Sequence, residues 1–227
     1  MATITAVYTP VSDDPRGTVP PMSLDVRAPR QQRTREQWRR ILDAGVALLE
    51  EGGYDAFTIP ALCEKAGVPP RALYARTDSK DALFLAVYEH GIARVTSDQE
   101  VFGDAEHWDG LDDATRIGRA VAVVSAIFDR HRLFLRAIVL VSSRHPEVAR
   151  RGAARRRELC DLFTDVLAPT DARSPHRDPL AARRFAFTLV FSAMVVRTAY
   201  GEEFGAVQDD AALTDALTRY LLEVSGR

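Results

Sequence analysis

The stretch "TIPALCEKAGVPPRALYART", Thr58–Thr77, decides how this chain is read. Thr58 stands where a hydroxyl caps a helix start, and Pro60 is tolerated in the first turn because its missing N–H has no intrahelical partner there. Leu62, Cys63 and Ala66 follow at helical spacing and point to a core, and Gly67 ends the helix. The next residues, Pro69 and Pro70, mark a second start. Pro70 holds Pro69 extended, as an N-cap residue needs, and itself supplies the φ of a first helical position. The helix they open carries Arg71, Tyr74 and Arg76 and is expected to run for about seven residues, or about 10 Å. Its N-terminal end fits a major groove about 12 Å wide. Two short helices across a glycine turn make a helix-turn-helix unit.

The flanks extend the pattern. Residues 1–29 hold Pro10, Pro15, Pro20, Pro21 and Pro29 with little periodicity, the composition of a disordered leader. "RQQRTREQWRR" (Arg30–Arg40) then sets five arginines against one acid, Glu36. Trp38, Ile41, Gly45 and Leu48 form the face of a first helix that stops at Gly52 and Gly53. After Thr77, Asp78 or Ser79 caps a long helix through Leu83, Val87, Gly91 and Arg94, with a loop expected at "FGDAEHWDGLDD". Helices follow around Ile117–Phe128, Phe134–Val141, Pro146–Val166, Phe185–Val196 and Leu213–Val224. No strand-like alternation persists, so the fold class is all-α: an N-terminal three-helix helix-turn-helix domain and a larger C-terminal helical domain. The divisions fall at residues 30–95 and 96–227.

On these residues the chain resembles the TetR family of transcriptional regulators. The resemblance rests on "ILDAGVALLEEGGY", on "FTIPALCEKAGV", on the Leu73–Tyr74 pair and on "SKDALF" with Lys80, about sixty residues in all. It implies a homodimeric, DNA-binding repressor that leaves a palindromic operator when a small molecule binds its C-terminal domain. Carried onto this sequence, it gives Thr58 a phosphate, sets Pro69, Pro70, Arg71 and Ala72 toward the groove, and gives Tyr74 and Lys80 the backbone. Pro60 and Pro69 replace residues that donate hydrogen bonds in the usual pattern, and Thr77 replaces an aromatic. The contact burden then moves to Arg71, Arg76, Lys80 and the basic arm, including Arg33 and Arg35. Arg71 is the candidate for a bidentate contact to guanine. The last two helices are expected to pair with their copies through Phe185, Leu189, Val196, Leu213, Leu217 and Tyr220. The alternative is a helical ligand-binding protein with weakened or lost sequence-specific DNA recognition.

The bulk numbers set bounds. The net charge of −2 confines any nucleic-acid contact to a local patch. Two distant cysteines, Cys63 and Cys160, give no disulfide framework or metal pattern and read as buried thiols in a reducing compartment. No secretory signal and no apolar run of about 18 residues is evident, so a cytoplasmic location without membrane contact is expected. Five scattered histidines have no zinc spacing, and no phosphate loop or nucleophile elbow occurs. No enzyme activity, metal or cofactor is expected. The second basic run, "ARRGAARRR" (Ala149–Arg157), reads as a solvated helix face. Phe128, Phe134, Ile138, Phe163, Phe187 and Phe191 are the expected lining of an effector pocket, which points to an apolar or aromatic ligand.

Overall fold

The computed structural model describes residues 32–201 and 209–223, with residues 32 and 33 by backbone alone. The proline-bearing leader, Arg30, the Arg33 side chain and Val224 lie outside the described residues. Ten α-helices appear among those described: α1 (Gln32–Ala56), α2 (Ile59–Ala66), α3 (Pro70–Tyr74), α4 (Lys80–Ser97), α5 (Ala105–Trp108), α6 (Asp113–Arg130), α7 (Arg132–Ser142), α8 (Pro146–Val166), α9 (Pro179–Tyr200) and α10 (Asp210–Leu222). The class is all-α, as expected, with a small helix-turn-helix part at the N-terminus and a larger helical part after it.

The α1 helix keeps helical dihedrals only to the glycine pair. Gly52 has φ −143° and Gly53 has φ 65°, and the chain turns there before α2. The expected loop after α4 is instead wound into a 3-10 turn, Asp98–Gly103, followed by α5. The Trp108 indole N–H locks the two together by donating to the Val101 carbonyl at 2.9 Å. Asp112 caps α6, accepting from the Thr115 amide at 2.8 Å, and that bond holds its carboxyl below the usual range.

Helix α4 belongs to both parts of the molecule. Its first half buries Leu83, Phe84 and Val87 beside α1, and its second half buries Gly91, Ile92 and Val95. Gly91 is there for space. A Cβ on it would come within 2.2 Å of the Phe134 ring. The α7 helix packs on α1 as well as on α8 and α9, so the two parts share a long seam.

Two expectations are corrected here. The α8 arginine run is a solvated face only in part, with Arg150 and Arg157 exposed. Arg151 is 5% exposed, paired with Glu89 of α4 and with Glu147, and Arg155 pairs with Glu158 at 2.8 Å. The Arg156 guanidinium lies 5.6 Å from the ring centres of Phe187 and Phe191 and donates to the Thr188 hydroxyl. Glu147 and Glu158 on α8 itself, Glu89 on α4 and the α9 rings absorb much of the charge. Second, α9 is long and apolar enough to cross a membrane by length and composition, although no contiguous run in the sequence looked so. Its alanines and threonines dilute the pattern. In this fold α9 packs against α6, α7, α8 and α10, as a core helix does.

Candidate nucleic-acid interface

The α2–α3 unit is positioned by caps more than by mass. The Thr58 hydroxyl accepts from the Ala61 amide at 3.3 Å, satisfying one of the orphan donors at the α2 start. Gly67 closes α2 with φ 64°, a left-handed conformation that favours glycine, and its N–H reaches the Cys63 and Glu64 carbonyls. Val68 is buried, and Pro69 is extended at φ −74° and ψ 154°. Pro70 occupies the first helical position, as the sequence implies. The helix that follows is shorter than expected: α3 has five residues, because the Arg76 and Thr77 amides both turn back onto the Leu73 carbonyl.

Leu73 is fully buried and fixes α3 from below. Thr58, Pro69, Pro70, Arg71 and Tyr74 are exposed along the unit, while Ala72 and Arg76 are half-buried. Arg71 makes no ion pair with any described residue. Tyr74 is 53% exposed, and its ring stacks on no other ring among the described residues. Arg35 is exposed near the start of α1. Lys80 opens α4, exposed, with its ammonium 4.9 Å from the centre of the Tyr54 ring. That contact between cation and ring holds the charge beside the α1 end.

Thr77, where the family pattern has an aromatic, is held inside the turn. It is 3% exposed, and its hydroxyl donates to the Ser79 carbonyl at 3.0 Å. It therefore ties the α3–α4 turn from inside and faces no phosphate. The signal was local: a threonine two residues before a serine cap is a turn-forming pattern. Ser79, not Asp78, caps α4, accepting from the Ala82 amide at 3.0 Å. A second unforeseen brace is the Lys65–Glu51 ion pair at 2.7 Å, which joins α2 to α1.

The six residues expected to line a pocket pack as core. Phe128 meets Phe191 edge-on with ring centres 5.5 Å apart, Phe191 meets Phe187 at 5.6 Å, and Phe187 meets Phe163 at 5.5 Å. Phe134 lies on Gly91, and Ile138 is buried beside it on α7. Ring-to-ring contact fills that space, and none of the six lines the clefts found on the molecule. Of the residues expected to pair subunits, Phe185 and Leu189 are exposed, and Val196, Leu213 and Tyr220 are half-buried. Leu217 is corrected. It is 1% exposed within the single chain, and belongs to the intrachain core.

Residues 41–87, which enclose the whole α2–α3 unit, match the family model described as bacterial regulatory proteins, tetR family. Over these residues the chain is similar to TetR-family N-terminal domains. Solved TetR-family structures share the fold over most of the chain. A TetR-like regulator from Rhodococcus sp. RHA1 is 21% identical, with a TM-score of 0.58 over 86% of this chain and 96% of that one. A TetR regulator from Haloarcula marismortui is 14% identical, with a TM-score of 0.63 over 82% and 97%. The multidrug binding protein EbrR, solved with imidazole, is 20% identical, with a TM-score of 0.55 over 82% and 94%. No curated protein sequence matches the chain. Among the described residues no group of three or more His, Cys, Asp or Glu side chains is placed to hold a metal ion.

Proposed function

We propose that this TetR-type protein is a cytoplasmic, homodimeric repressor that binds a palindromic operator and is released by a small ligand. The observation that carries it is the exposed start of α3, where Arg71 stands without a carboxylate partner in a matched TetR-family domain. An unpaired, exposed arginine at a helix N-terminus is poised for the N7 and O6 acceptors of guanine. Arg35, Thr58, Tyr74, Arg76 and Lys80 serve the phosphates, Arg33 extends the same arm, and Pro69, Pro70 and Ala72 bring the backbone close. The Thr58 hydroxyl already accepts a backbone amide, which leaves its own hydrogen for a phosphate oxygen.

Dimerisation is supported by α9. Phe185, Leu189 and Tyr200 are exposed on one side of α9, whose opposite side buries Arg183, Phe187, Val190 and Met194, and the Phe185 ring meets Tyr220 of α10 at 5.4 Å. An apolar stripe of this kind is costly in water and marks a protein contact. Two-fold pairing would set two α3 helices about 34–36 Å apart, or a multiple of it. A small-molecule ligand is in keeping with the likeness of the fold to EbrR, a multidrug binding protein solved with imidazole.

Selection of bound sequences from random DNA tests the proposal. A palindromic consensus is expected. Arg71→Ala should relax one base position per half-site, at about 1–3 kcal/mol of lost discrimination. Lys80→Ala should weaken all sequences alike and reduce the salt slope by about 1. The exposed prolines Pro60 and Pro69, which offer no donor, favour a second reading: a ligand-binding protein without specific recognition. Selection that returns no consensus would establish that reading instead, and sedimentation as a monomer at micromolar concentration would remove the dimer.

A further inference from the structure

With the helical core filled by rings, room for a ligand lies elsewhere. A cleft of about 250 Å³ sits at the seam between the two parts of the chain. One wall is the α1 end, Leu49–Asp55. The other is α7, through Leu133, Arg136, Leu140 and Arg144 among others. Its floor is apolar, since Leu49, Ala137 and Val141 are buried, and its rim carries Leu133 and Leu140, 54% and 42% exposed.

The two walls carry opposite charge. The α1 side presents Glu50, Glu51 and Asp55, of which Glu51 is neutralised by Lys65. The α7 side presents Arg136 and Arg144. Arg136 gives its Nε to the Ala199 carbonyl at 3.3 Å. Yet Arg136 and Arg144 make no ion pair with Glu50 or Asp55 among the described residues, so the cleft holds complementary charges apart. The helical dihedrals of α1 also end at Gly52 and Gly53, so its last carbonyls add negative character to the acidic wall. The volume lies below the usual range of about 300–1,000 Å³ for drug-sized ligands, which calls for a small occupant.

We propose that this cleft binds a small zwitterion with an apolar body, of the chemical class of an apolar free amino acid. Its cationic group sits on the α1 wall at Glu50 and Asp55, its anionic group between Arg136 and Arg144, and its apolar part on Leu49, Ala137 and Val141. This rests on the reading of the chain as a ligand-responsive regulator, and it moves control from the helical core to the seam. An occupant that bridges α1 and α7 favours one disposition of the DNA-binding part over others, and DNA affinity shifts by that preference.

L-phenylalanine, its amide and its N-acetyl derivative separate the terms. The amide lacks the negative group and the acetyl compound lacks the positive one. Titrated into the isotope-labelled full chain, phenylalanine should give saturable amide shifts confined to residues 49–55 and 133–144, with a Kd of about 1 mM. Each derivative should bind about tenfold more weakly, the worth of one charge-assisted contact. Arg144→Gln should erase the preference for the free acid over the amide, and Glu50→Gln the preference for the free amine. Arg144 is exposed and Glu50 half-buried, so the variants' own spectra report whether the fold is kept. Three compounds binding alike, or no saturable shifts in those two segments, would overturn the site. Ligand-free binding to the selected DNA is measured separately, so failure of the regulator reading is visible on its own.

Discussion

Two arginine-bearing stretches of this chain meet opposite fates. "VPPRALYAR" leaves Arg71 exposed and unpaired at the start of a five-residue helix. "ARRGAARRR" buries Arg151 between Glu89 and Glu147 and lays Arg156 against two rings. By composition the second stretch is the more basic. By structure the first is the more available. What separates them is the neighbouring helices: α4 offers Glu89 to α8, and no described residue offers a carboxylate to Arg71. A basic sequence is thus a poor guide to a basic surface.

The largest expected effect tests this contrast directly. Arg151→Ala leaves the largely buried Glu89 without its closest partner, while Glu147 keeps Arg150, and should cost about 3 kcal/mol of stability. Arg155, 3.6 Å from Glu89, keeps the loss at the lower end of the range for broken buried pairs. Arg71→Ala should change stability by no more than about 0.5 kcal/mol, as surface changes do. Urea unfolding of both variants checks the pair. Equal losses would mean that Arg71 is tied into the fold and the contrast is false.

The same contrast explains how much was legible in the sequence. Helix starts and stops were read well at Thr58, Gly67, Pro70 and Pro146, because capping is local chemistry and its residues are few. The α2–α3 unit is built almost wholly of such signals, so its position in the chain was plain. Arg151 was not legible. Its partner Glu89 lies 62 residues away, and no local rule pairs them. The aromatic set shows the same limit: periodicity puts Phe128, Phe163, Phe187 and Phe191 toward the inside, and only the packing shows that their rings meet one another. Thr77 shows the reverse, since its turn with Ser79 is local and the family pattern drew the eye to its missing ring.

Gly91→Ala is the next largest, and it sharpens the comparison by acting on α4 alone. The added methyl would meet Phe134 at 2.2 Å, and ring atoms in a filled core cannot move away freely. Overpacking of this kind costs about 1–3 kcal/mol. Because α4 carries both Glu89 and the cap beside α3, the strain should also alter affinity for the selected DNA. Thermal unfolding and DNA titration of one variant read both effects. A stability loss with unchanged DNA affinity would show that α3 is held by its caps alone. Thr58→Ala then measures those caps, at about 1 kcal/mol of stability.

The smallest effect concerns pH and isolates the α8 cluster from the DNA-binding unit. Hydrogen bonds first from Arg150 and then from Arg151 hold the Glu147 carboxyl down to about 2, against an ordinary value of 4.5. A carboxylate depressed on folding stabilises the native state above its unfolded pKa, and loses that contribution as pH falls toward the folded one. The window is therefore about pH 4.5 to 2. Glu147 is about one-third exposed, so water screens much of the interaction and the effect is modest. Glu147→Gln should be less stable than the parent at neutral pH, and the gap should close as pH falls through that window. A gap that stayed constant would place the stabilisation in side-chain packing, and Arg151 would then depend on Glu89 alone for its charge.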